Sequence, residues 1–159
     1  MQWRKHERQR RQKHVFEIYI KTTPERLWQA ITDGAITEKY YYGTKAKSDW
    51  KPNSPYTYNT QDGTVMLDGI VIESDPPSRL VTTFNPHWMP DAGEFPESKV
   101  TYEISPAGET CKLTLIHEDL VPGNPMTDGI RKDWSEILSG LKTFLETGEP
   151  LVMHADGEV

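Results

Sequence analysis

Residues 132–151, "KDWSEILSGLKTFLETGEPL", decide how this chain folds. Counting from Ile130, apolar side chains recur at Trp134, Ile137, Leu138, Leu141, Phe144 and Leu145, the spacing of one helical face. Lys132, Ser135, Glu136, Lys142 and Glu146 fall mostly off that stripe. Gly148 and Pro150 form a stop signal, so a helix is expected over about 127–147. Seven large apolar side chains at about 1.5–3 kcal/mol each represent some 10–20 kcal/mol gross when buried. A soluble monomer does not leave a patch of that size in water. Gly140 costs roughly 1 kcal/mol relative to alanine, which points to a close backbone approach at that position.

The partner of the stripe is read from the preceding residues. "VFEIYIKT", from residue 15, is rich in aromatic and β-branched residues and reads as a strand. "TTPERLWQAITD" reads as a short helix, with Thr23 as N-cap and Pro24 at the first helical position. "AITEKYYYG" follows as a second short helix or turn closed by Gly43. Six short strands come next, at about 44–51, 55–61, 64–74, 78–85, 97–105 and 109–117. The breaks between them, "KPNSP", "QDG", "DPPS" and "PAGE", carry turn chemistry. In "TCKLTLIH" alternation puts Cys111, Leu113, Leu115 and His117 on one face. Short turns between strands imply an antiparallel sheet, hence an α+β fold. A helix of about 21 residues spans roughly 31 Å, and seven strands at about 4.8 Å are some 29 Å across. The helix is therefore long enough to cross the sheet, and its partner is internal.

The chain has 159 residues and a net charge of −6. That length suits one domain with a real core. No apolar run approaches the roughly 18 residues of a membrane span, and no secretory h-region opens the chain. One cysteine, Cys111, excludes an internal disulfide framework. A cytoplasmic location is expected. Residues 1–14 carry a net +5 and the remainder −11. The N-terminal segment is read as a basic arm that associates with the acidic body. Nucleic acid is not expected as a partner, because the acidic body repels a phosphate backbone and no nucleic-acid module follows.

Five stretches in order carry a family resemblance: "TTPERLWQAITD", "YYYG", "DGIVIESDPPSRLVTTF", "KLTLIHEDL" and "DWSEILSGLKTFLETGEPL". Together they resemble the family named after the activator of the ninety-kilodalton heat-shock chaperone's ATPase (AHSA-like). That family belongs to the START-like, birch-pollen-allergen-like (SRPBCC) superfamily. The resemblance covers residues 15–151, leaving 1–14 as the arm and 152–159 as a C-terminal tail. Its most specific elements are the "DPPSRLV" turn and the tryptophan opening the last helix. Where the family usually has Gly-Trp, this chain has Asp133-Trp134, and the family's tryptophan-rich segment appears as Tyr40, Tyr41 and Tyr42. The resemblance implies a helix-grip fold, a curved antiparallel sheet of about seven strands wrapped around the C-terminal helix. In relatives the gap between them often forms a hydrophobic cavity. Uses include lipid and hormone carriage, aromatase or cyclase chemistry, and chaperone binding, so fold alone does not name the function.

The function expected here is binding of a hydrophobic small molecule in a mostly apolar pocket between helix and sheet. Tyr41, Tyr42, Trp50, Tyr58, Trp88, Tyr102, His117 and Trp134 are the candidate lining residues, with Leu138 and Leu141 on the helix face. A chaperone- or partner-binding protein is the first alternative and predicts a filled interior with an exposed apolar patch. A cyclase- or aromatase-like enzyme is the second, and predicts His117 facing the pocket as acid or base. His117, Glu118 and Asp119 are poor joint metal ligands, because adjacent strand residues point to opposite faces. His87 and Asp91 flank the long 85–97 connection and are not expected to hold a metal. Cys111 reads as a buried small hydrophobe. No cofactor is expected, since neither a glycine-rich phosphate loop nor a nucleophile elbow is present. The chain is expected to be a monomer or a homodimer, the latter by pairing of edge strands.

Overall fold

The computed structural model describes residues 11–88 and 96–152. Alternating residues form seven strands: β1 (Gln12–Ile20), β2 (Lys45–Ser48), β3 (Pro55–Asn59), β4 (Val65–Asp75), β5 (Arg79–Pro86), β6 (Ser98–Ala107) and β7 (Thr110–Leu120). All neighbours pair antiparallel, in the order β1-β7-β6-β5-β4-β3-β2. Every pairing except β1–β7 joins strands consecutive in sequence. Three helices accompany the sheet: α1 (Pro24–Thr32), α2 (Gly34–Tyr40) and α3 (Pro125–Thr147). The curved sheet closes around α3, which is the helix-grip arrangement.

One face of the sheet and the stripe of α3 meet in the core. Strand β6 contributes Val100, Tyr102 and Ile104, and β7 contributes Cys111, Leu113, Leu115 and His117, all buried. From α3 come Ile130, Trp134, Ile137, Leu138, Leu141 and Leu145. A Cβ at Gly140 would stand 3.2 Å from the Cβ of Tyr40, so this glycine lets α3 lie against the end of α2. Thr23 caps α1 by accepting from the Arg26 N–H at 3.2 Å, and Gly148 ends α3 in the left-handed region at φ 81°.

Two boundaries differ from the sequence reading. Strand β1 begins at Gln12, inside the stretch read as arm, because β7 runs on to Leu120 and supplies Gln12 with a partner. Helix α3 begins at Pro125, two residues before the apolar period marks it. Asn124 caps it, its side chain accepting from the Met126 N–H at 2.8 Å, and Pro125 occupies the first turn. The remainder of the expected arm, residues 1–10, and of the tail, residues 153–159, lie outside the described residues. No helix among the described residues is long and apolar enough to cross a membrane.

Candidate functional site

The space directly under α3 is filled by aromatic rings. Trp50 stacks on Tyr56 at 6.1 Å, Tyr56 meets Tyr58 edge-on at 5.9 Å, and Tyr58 meets Tyr41 at 4.5 Å. Tyr41 then meets Trp134 edge-on at 6.1 Å, and Trp134 touches Phe84 and Tyr102 at 6.1 and 6.3 Å. Trp50, Tyr56, Tyr58 and Tyr102 enclose a void of only about 10 Å³, room for one water at most. Leu138 and Leu141 belong to the same packed core. The chain's large aromatic residues therefore fill the place where the sequence reading put a guest.

His117 is sealed into this core at 0 % exposure. The Trp134 indole N–H donates to its Nδ1 at 2.9 Å. A nitrogen that accepts carries no proton, so the ring proton resides on Nε2. Nε2 lies 2.8 Å from Ser98 Oγ and donates to it. Burial foremost, with the neighbouring His14 second, pulls the imidazole pKa down to about 3. Both ring nitrogens are occupied by protein groups, and the ring acts as a neutral spacer between α3 and β6. It does not line the cavity described next.

That cavity lies at one end of the helix-sheet seam and has a volume of about 300 Å³. Its walls are Tyr41, Tyr42, Tyr58, Met66, Leu67 and Trp88; Thr44 and Thr60 complete them, and Asp133 and Glu136 form the rim on α3. Local chemistry places each wall. Tyr41 ends α2 as its C-cap. Tyr42 and Gly43 then adopt positive φ, 53° and 73°, a turn that carries Tyr42 over to α3. Its hydroxyl lies 2.7 Å from Glu136 Oε1 and 3.3 Å from Asp133 Oδ1. Asp133 and Glu136 are three residues apart and so share one helix face. Trp88 packs edge-on against Phe84 at 6.0 Å and shares the cavity wall with Asp133. Burial foremost raises the Asp133 carboxyl pKa, and burial with the Glu136 hydrogen bond raises that of the Tyr42 phenol.

Of the residues singled out in the sequence, Tyr41, Tyr42, Tyr58 and Trp88 come together around this cavity. Tyr102, His117, Trp134, Leu138 and Leu141 are buried in the interior, and Trp50 is half-buried against it. Sequence reasoning missed Thr44, Thr60, Met66, Leu67, Asp133 and Glu136. One signal pointed to Asp133, which stands where the family resemblance leads one to expect glycine beside the tryptophan. Glu136 falls off the apolar stripe and carried no such mark. Of the two loop residues considered for metal, His87 faces Asp68 at 3.3 Å and Asp91 lies outside the described residues. Among the described residues no group of three His, Cys, Asp or Glu is arranged to hold a metal ion. Cys111 is fully buried, its thiol 3.3 Å from the Thr22 carbonyl oxygen.

The fold recurs in solved structures. A protein from Mesorhizobium loti is 23% identical, with 84% of this chain and 96% of that chain covered and a TM-score of 0.72. The Aha1 dimer from Colwellia psychrerythraea is 18% identical over 86% of this chain and 98% of that one, TM-score 0.70. An Hsp90 activator from Plasmodium falciparum is 21% identical over 84% and 95%, TM-score 0.68. Comparison with curated protein sequences gives no match. The family model described as activator of Hsp90 ATPase homolog 1-like protein matches residues 21–146, most of the chain. With its seven-stranded sheet closed on a long C-terminal helix, this chain belongs to that family.

Proposed function

We propose that the protein binds an apolar small molecule in the cavity walled by Tyr41, Tyr58 and Trp88. One observation carries this reading: an opening of about 300 Å³ with mostly aromatic and aliphatic walls and a few polar groups gathered at one side. That is the lower end of the size range of ligand pockets, and such walls are typical of them. The guest sits at the mouth of the seam, because the space beneath α3 is already packed. Met66→Trp fills the cavity from one wall while leaving the core rings untouched. Titration calorimetry with a neutral probe, naphthylethanol, is expected to show binding to the native protein and its loss in Met66→Trp. Native mass spectrometry of the freshly purified protein is expected to show a bound apolar compound. Equal affinity in native and variant proteins overturns the reading.

Docking to a partner protein is a second reading, favoured by a separate observation. Ile70 and Ile72 on β4 are 42% and 43% exposed on the outer face of the sheet. The packed interior agrees with it, and a relative of the same fold is an Hsp90 activator. Replacing both isoleucines by glutamate abolishes partner binding on this reading and leaves naphthylethanol binding intact.

A further inference from the structure

The polar groups around the cavity are unequal in kind. The Tyr42, Thr44 and Thr60 hydroxyls on its walls are used by the protein itself. The Tyr42 hydroxyl donates to Glu136. The Thr44 hydroxyl donates to the Tyr41 carbonyl at 2.6 Å, and that of Thr60 to Asp62. The Asp133 and Glu136 carboxylates beside them accept only. Tyr41 adds a further oxygen: the residue is 3% exposed, lines the cavity, and its hydroxyl makes no hydrogen bond to any described residue.

The charges are unequal too. Among the described residues no Lys, Arg or His lines the cavity, whereas Asp133 and Glu136 both do. Lys132 Nζ stands 3.2 Å from Glu136 on the outer side, with its own side chain 75% exposed. Asp133 has no ion pair among the described residues, and its carboxylate stands 3.3 Å from the neutral Tyr42 hydroxyl. A half-buried carboxylate with only neutral partners is incompletely compensated. Its raised pKa has the same origin. The walls next to it are aromatic faces, which attract cations.

We propose that the ligand of this cavity is a hydrophobic cation, an amine with an aromatic or alkyl body whose ammonium group sits between Asp133, Glu136 and the Tyr41 hydroxyl. This rests on the small-molecule reading above and narrows it. The ammonium supplies the positive charge that Asp133 lacks among the described residues. An acid of the same shape brings a like charge to the same rim and is rejected.

Three probes with one apolar body separate the possibilities: naphthylethylamine, naphthylethanol and naphthylacetic acid, each titrated calorimetrically at neutral pH and low salt. The amine is expected to bind at least about tenfold more tightly than the alcohol, a difference of roughly 1.4 kcal/mol, with the acid weakest. In Asp133→Asn, checked for native circular dichroism, the ratio of amine to alcohol affinity falls. In higher salt it falls as well. Alcohol or acid binding as tightly as the amine overturns the cationic assignment and leaves the apolar pocket standing. An amine advantage that survives unchanged in Asp133→Asn also overturns it. Failure of all three probes to bind removes the pocket reading and the assignment together.

Discussion

His117 offers the most quantitative test of the packing. Its imidazole is neutral in the folded protein, held between the Trp134 indole and Ser98 with a pKa of about 3. In the unfolded chain a histidine titrates near 6.5. Between these values the unfolded state binds a proton that the folded state refuses, so stability falls as pH falls. The contribution is fully present above about pH 6.5 and is lost progressively toward pH 3. Each pH unit inside that window is worth about 1.4 kcal/mol. Lowering the pH from 7 to 4 therefore costs about 3 kcal/mol through this one ring. His14, opposite His117 in the β1–β7 register, shifts in the same direction. Urea denaturation at several pH values, on the native protein and on His117→Gln, isolates the term, because His14 and the carboxylates remain in both. The native protein is expected to lose about 3 kcal/mol more than the variant over that range. Carbon-13 NMR of the ring in the folded native protein provides the check that needs no variant. A His117 imidazole that titrates near pH 6.5 while the protein stays folded refutes the reasoning.

Three further outcomes follow from named contacts. Trp134→Phe keeps a ring in place but leaves His117 Nδ1 buried without its donor, and a loss of about 1–3 kcal/mol in denaturant unfolding is expected. Gly69→Ala would set a Cβ 2.5 Å from the Thr83 carbonyl oxygen and 2.7 Å from the Tyr56 ring. It is expected to destabilise by about 1–3 kcal/mol, read as a lower thermal midpoint. Asn124→Ala removes the side-chain acceptor for the Met126 N–H and is expected to cost about 1 kcal/mol, with fraying of the first turn of α3 visible in amide exchange.

The architecture was legible because its signals are local and periodic. The α3 stripe, the Thr23-Pro24 start of α1 and the alternation from Cys111 to His117 each name their own element within a few residues. Boundaries were less legible where a partner sets them. Gln12 is in a strand because Leu120 lies opposite, and nothing near residue 12 announces that. The site divided along the same line. Tyr41, Tyr42, Tyr58 and Trp88 were chosen as aromatics near the seam, and all four meet at the cavity. Trp50, Tyr102, His117 and Trp134 carry the same aromatic signal and stand outside the walls of that cavity.

By itself, then, the sequence determined the order of elements, the face α3 buries and the family to which the chain belongs. Each of these depends on spacing along the backbone, which the residues carry with them. Only the tertiary structure decided whether the space under α3 is hollow. Filling depends on the summed volumes of rings from α2, β3, β5, β6 and α3, which are spread over about a hundred residues of sequence. It also decided the polarity of the opening that remains. Asp133 and Glu136 read in the sequence as helix surface, and they become the rim of an apolar cavity because the turn at Tyr42-Gly43 folds a tyrosine across to meet them.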